Sequence, residues 1–145
     1  MHIETFIKRL DRLVNSDSGF KYNLGDTLNE SDFTESEKKL GITIHQKVKD
    51  FFLVANGLTT INPDFEIIDL KKLIIENQLI QFATFNRTIS GCFKIDKLND
   101  AYDWTIVNKE TGYEITKTIS SFWSNKIWHW LEKRHKIWAD NWWEN

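Results

Sequence analysis

Two histidines near the end of the chain invite a metal reading, in the run His129-Trp130-Leu131-Glu132-Lys133-Arg134-His135. Two imidazoles on one helix face need a spacing of three or four, as in zinc-binding His-Glu-x-x-His. A gap of six turns the rings about 240° apart around a helix axis. The segment therefore reads as a solvated basic face, and no metal is expected. Cys92 is the only cysteine. As a nucleophile it would need a base within reach, but Gly91-Cys92-Phe93 sits in an apolar run where a free cysteine acts as a small buried hydrophobe. Asp100 and Asp103 are too ordinary a carboxylate pair to imply acid–base work. No Gly-x-Ser-x-Gly elbow, P-loop or dinucleotide fingerprint is present. The expectation is a chain with no catalytic residue, no cofactor and no small-molecule substrate.

The charged residues suggest binding instead. Asp26, Glu30, Asp32, Glu35 and Glu37 form an early acidic stretch, and Asp96, Asp100, Asp103, Glu110 and Glu114 a second. Lys126, Lys133, Arg134 and Lys136 make the last helix basic. Each is ordinarily a solvated face. The functional alternative is an acidic surface that steers a basic partner into contact. On that alternative Asp96, Asp100, Asp103 and Glu110 supply the charged part of a protein-binding surface. Trp143 is an aromatic anchor candidate, because tryptophan is enriched at interface hot spots. The competing reading folds the tail back and buries Trp142 and Trp143; the sequence leaves both open. A formal net charge of −2 gives no reason to expect nucleic acid.

These residues need elements to position them. The chain has 145 residues, 41% of them hydrophobic and 28% charged, which suits one globular domain over residues 1–145. One cysteine allows no intramolecular disulfide and points to a reducing compartment. The first residues lack the pattern of a signal peptide, and no apolar run reaches the roughly 20 residues of a membrane span. A cytoplasmic location is expected.

Ile3, Phe6, Ile7, Leu10, Leu13 and Val14 recur at helical spacing, followed by a turn at Ser16-Asp17-Ser18-Gly19. A second helix carries Phe33, Glu37 and Leu40 and stops at Gly41. Asn29, Ser31, or a Thr34/Glu37 capping box can start it. A third carries Val48, Phe51, Phe52 and Ala55 and stops at Asn56-Gly57. The period then changes. Phe65–Ile68, Ile80–Phe85, Ser90–Ile95, Trp104–Val107 and Tyr113–Thr116 read as strands, the last two joined by a hairpin turn at Lys109-Glu110-Thr111-Gly112. Leu70–Ile75 is a short helix or a connecting strand. A final helix starts at Ser120 or Ser121. Trp123, Ile127, Trp130, Leu131, Ile137, Trp138 and Trp142 share its apolar face, with Trp128 at the border and Phe122 and Trp143 outside. Trp123, Trp130 and Trp138 are expected in the core. Helices first, then a strand meander, then a helix predicts an α+β fold, with an antiparallel or mixed sheet and helices on one face.

The run Phe33–Gly57, FTESEKKLGITIHQKVKDFFLVANG, resembles the signature of the SMI1/KNR4 (SUKH) superfamily. Glu37, Leu40, Gly41, Phe52, Leu53, Asn56 and Gly57 stand at matching positions. His45 stands where the family usually has proline, Val48 where it has an aromatic, and Leu58 where it has a second glycine. Looser likeness continues through Phe65–Leu73, Gly91–Ile95, Val107–Ile115 and Ser121–Leu131. The resemblance implies a binding protein. Many bacterial members are immunity proteins that neutralise a cognate toxin domain, often a nuclease or deaminase; fungal members act through protein contacts in cell-wall signalling. The resemblance thus makes a toxin domain the expected partner, and a regulatory or scaffolding module the alternative.

Overall fold

The amphipathic period at the start of the chain becomes α1 (Ile3–Ser16), which buries Phe6, Leu10 and Leu13. A computed structural model describes residues 2–16 and 19–144; Asp17 and Ser18, half of the expected turn, lie outside the described residues. In α2 (Glu30–Leu40) the choice of start falls on Asn29. Its side chain accepts from Asp32 N at 3.1 Å, and Asp32 accepts from Asn29 N at 2.8 Å. This reciprocal capping box satisfies two donors that a helix start leaves open. Gly41 closes α2 in the left-handed region, φ 71°. Next comes α3 (Gln46–Ala55), with Val48, Phe51, Phe52 and Ala55 buried as the period requires.

The sheet has β1 (Lys21–Asn23), β2 (Thr59–Ile61), β3 (Phe65–Ile67), β4 (Ile75–Glu76), β5 (Leu79–Phe85), β6 (Ile89–Lys94), β7 (Thr105–Asn108) and β8 (Glu114–Thr116). Its order is β1-β2-β3-β5-β6-β7-β8, with β4 beside β5. Every pairing is antiparallel, so the mixed alternative is not realised. β3, β5, β6, β7 and β8 sit within a residue or two of their expected places. β1 and β2, of three residues each, have no counterpart in the sequence reading. Both readings of residues 70–75 hold in part: a 3-10 turn at Leu70–Lys72 leads into β4.

Phe82 and Phe93 of adjacent strands stack at 3.9 Å, and Phe82 meets Phe51 of α3 and Phe122 edge-on. This aromatic contact is the joint between the sheet and the helices that cover it, completing an α+β fold.

The C-terminal helical segment departs from one regular helix. It runs through α4 (Ile119–Ser121), a π-helical stretch (Phe122–Lys126) and α5 (Ile127–Lys133). Thr118, not either serine, caps it, accepting from Ser121 N at 3.1 Å. The π stretch widens the turn, so a projection at constant pitch misplaces side chains across it. Phe122, expected outside the apolar face, is fully buried, and so is Trp128 at 2% exposure. Arg134, at φ 62°, ends the helix. Ile137 and Trp138 are in the core as expected, but they arrive from the tail beyond the helix.

Candidate partner-binding surface

The signature residues build the fold. Buried Asn56 donates from Nδ2 to the Asp26 carbonyl at 3.0 Å and accepts at Oδ1 from Leu70 N at 2.8 Å. One side chain thereby ties the end of α3 to two distant segments. Gly25 N donates to the Asn56 carbonyl at 2.9 Å, and a Cβ on Gly25 would lie 2.8 Å from that oxygen. Glu37 accepts from Ile44 N at 2.7 Å, holding the step between α2 and α3.

The expected acidic surface is not one surface. Asp103 is 0% exposed. Its Oδ1 accepts from His45 Nε2 at 2.7 Å and Trp104 N at 2.8 Å, and its Oδ2 from Ile119 N at 3.0 Å. Burial pushes this carboxyl up, but the bonds from His45, Ile119 and Trp104 outweigh it and hold the group below its ordinary value. A carboxylate with its oxygens turned to buried donors offers nothing to a partner, so Asp103 leaves the candidate set. Charge counting along the sequence missed this because only tertiary structure brings His45 and Ile119 to it.

Asp96 and Asp100 are exposed in the loop between β6 and β7. Exposed Glu110 lies in the turn between β7 and β8, at the far end of the same strand. Trp143 is 60% exposed beyond α5, while Trp142 is half-buried, so the tail realises each reading at one residue. Asn108 ties this end of β7 to the tail: it accepts from Glu110 N at 2.9 Å and donates from Nδ2 to the Trp138 carbonyl at 3.0 Å.

The most distinctive exposed feature is the loop carrying Asp96 and Asp100. Asn99 organises it. Its Oδ1 accepts from Ala101 N at 2.9 Å and Asp103 N at 3.3 Å; its Nδ2 donates to Thr105 Oγ1 at 3.0 Å and the Lys117 carbonyl at 2.8 Å. Lys47 of α3 donates to the Ala101 carbonyl at 3.1 Å, and Lys117 pairs with Asp100 at 3.8 Å. At the tip Tyr102 stands 77% exposed at φ 57°, a conformation that costs a bulky residue energy. Leu98 beside it is 48% exposed. Lys47 links the loop to a groove of about 490 Å³ between α1, α3 and the start of the C-terminal helix, lined by Ile3, Leu53, Val54 and Trp123. Ile3 and Leu53 are 49% and 43% exposed there. Tyr102, Leu98 and this groove were absent from the expected site. The legible signal was the run Asn99-Asp100-Ala101-Tyr102, an exposed-turn composition ending in an aromatic.

The groups capable of nucleophilic or base chemistry have structural surroundings. The Cys92 thiol is buried at 1% exposure, and that burial pushes it up to about 11. The His45–Asp103 pair has the form of an oriented base, but the second ring nitrogen is enclosed, against Trp104 at 4.8 Å between centroids, and makes no hydrogen bond among the described residues. Among the described residues no three His, Cys, Asp or Glu side chains group so as to hold a metal ion, and no helix is long and apolar enough to cross a membrane. The separation of His129 and His135 fails, however. The helix ends between them, His135 N donates to the His129 carbonyl at 2.9 Å, and the rings lie 5.6 Å apart and 17° from parallel.

No protein-family model matches this chain, and no curated protein matches it.

Proposed function

We propose that this chain is a cytoplasmic, non-catalytic binding protein whose contact surface is the β6–β7 loop with the adjoining α1–α3 groove, and that its partner is a toxin domain which it neutralises. Tyr102 carries the reading. A large aromatic, almost wholly in solvent, is held in a costly backbone conformation by a fully bonded loop. A rigid aromatic loses little entropy on contact and makes an effective anchor. Leu98 and the groove supply apolar area around it, and Asp96 and Asp100 supply rim charge that acts on association rate. The choice of a toxin as partner rests on the SMI1/KNR4 resemblance.

Co-expression with the product of the neighbouring gene tests the reading. The expected result is a stable complex and rescue of growth from that product's toxicity, with Tyr102→Ala weakening binding by about 2 kcal/mol, roughly thirtyfold. A complex without rescue would favour the regulatory alternative. A complex indifferent to Tyr102, Leu98 and Leu53 would place the interface elsewhere.

A further inference from the structure

The tail beyond α5 is fastened by titratable rings. Trp142 lies against His129 at 4.8 Å and His135 at 5.9 Å, and the Lys126 ammonium sits 4.1 Å over its ring. His129 and His135 each bury an Nδ1 that has no hydrogen-bond partner among the described residues. In the neutral state this arrangement is tolerable: one nitrogen of each ring carries no proton, and an enclosed lone pair without a donor costs less than an enclosed N–H without an acceptor.

Protonation changes that. Each ring then holds an N–H at an enclosed position with nothing to receive it, and two positive charges stand 5.6 Å apart. The surroundings add to the repulsion. Lys126 faces the pair from the π stretch and Lys133 from α5. Arg134 and Lys136 flank His135; Arg134 is bonded to the Leu131 and Asn62 carbonyls. Asp140 follows in the tail. Glu132 is the nearby acid on α5, but Arg9 of α1 takes both its oxygens at 2.7 and 3.0 Å. Burial, then Lys133, His135 and Lys126, hold the His129 ring below its ordinary 6.5, with Glu132 opposing.

We propose that His129, stacked on His135 and against Trp142, forms an acid-sensitive latch: uptake of a proton by the His129 ring releases the final turn, Trp142–Glu144, while Trp138 stays anchored in the core. The sign follows from linkage. The docked turn prefers a neutral His129 ring, so docking is at full strength above about 6.5 and is lost as pH falls below it. Each unit by which docking lowers the His129 pKa weakens docking about tenfold at acid pH.

The test is a titration of the full chain carrying 5-fluorotryptophan, with ring protons of His129 and His135 followed in parallel by NMR. The Trp142 and Trp143 fluorine signals are expected to move together with a midpoint below 6.5, while those of Trp104 and Trp138 stay fixed. Lys133→Met removes a facing cation without touching Trp142, and is expected to shift the midpoint upward. In His129→Gln the acid step is expected to vanish. If that variant undocks the turn at pH 7.5 as well, the pair's hold on the turn is still supported, and the wild-type titration decides proton control. A His129 ring titrating at or above 6.5, or a Trp142 signal unchanged between pH 7.5 and pH 5, would overturn the proposal.

Discussion

The His45 ring donates to Asp103 at 2.7 Å across 58 positions of sequence, joining the start of α3 to the loop that displays Tyr102. The same carboxylate receives Ile119 N at the start of α4. Asp103→Asn keeps the shape but loses the charge, and its amide cannot accept at both ends. The expected cost is about 3 kcal/mol, read as a lower urea midpoint with unchanged slope. Because the folded carboxyl lies below its ordinary 3.8, its stabilisation is present above that value and fades as pH falls through the folded value. The variant's stability should therefore be flatter than wild type in that acid range.

Tyr102 separates function from stability. At φ 57° a glycine fits better than tyrosine, and the ring is 77% exposed, so little packing is lost. Tyr102→Gly is expected to leave stability unchanged or raise it by up to about 1 kcal/mol, while losing partner binding as Tyr102→Ala does. A binding residue retained against a local stability gain is the pattern of a stability–function trade-off. A thermal melt showing clear destabilisation would instead make Tyr102 a structural residue.

Asn56 is expected to be among the most sensitive polar positions. Asn56→Ala orphans the Leu70 N–H and the Asp26 carbonyl, each in a part-buried or buried bond, at about 2–3 kcal/mol together. Gly25→Ala attacks the same junction from the other side, since its Cβ would come within 2.9 Å of Gly57 Cα. The two variants share one junction, so their effects should combine non-additively in a double-mutant cycle.

How much of this was legible depends on how local the cause is. The helices α1 to α3 were readable because their periods, Gly41 and Asn56-Gly57 are signals within one turn. β1 and β2 were not: Lys21–Asn23 becomes a strand by pairing with Thr59–Ile61 far along the chain, and Thr59–Ile61 pairs in turn with β3. The site was half legible. Asp96 and Asp100 are where an exposed acidic loop was expected, yet Asp103, three residues on, points inward to partners 58 and 16 positions away. The His129–His135 stack was invisible for a related reason: helical geometry was extrapolated through Arg134, where the backbone turns left-handed.

Cys92 gives a probe of opening from the sheet side. It is 1% exposed on β6, near the Glu76–Lys109 pair at 4.0 Å, and its thiol is pushed up to about 11 by burial. At pH 8 its thiolate is about one part in a thousand, against about one part in ten for a thiol at the ordinary 9.0. Alkylation by iodoacetamide should thus be about a hundred times slower than for a free thiol, or slower still, and should reach the free rate in urea. The proton linkage runs opposite to that of Asp103. The folded thiol holds its proton more tightly than the unfolded one, so the stabilisation is present below about pH 9 and lost as pH rises through about 11. Cys92→Ala removes this dependence, so its stability should fall less steeply than wild type over that alkaline interval. Parallel slopes for the two proteins would assign the alkaline loss to another group, such as Tyr22, raised to about 12 by burial and its bond to Asp11, or Tyr113, raised by burial.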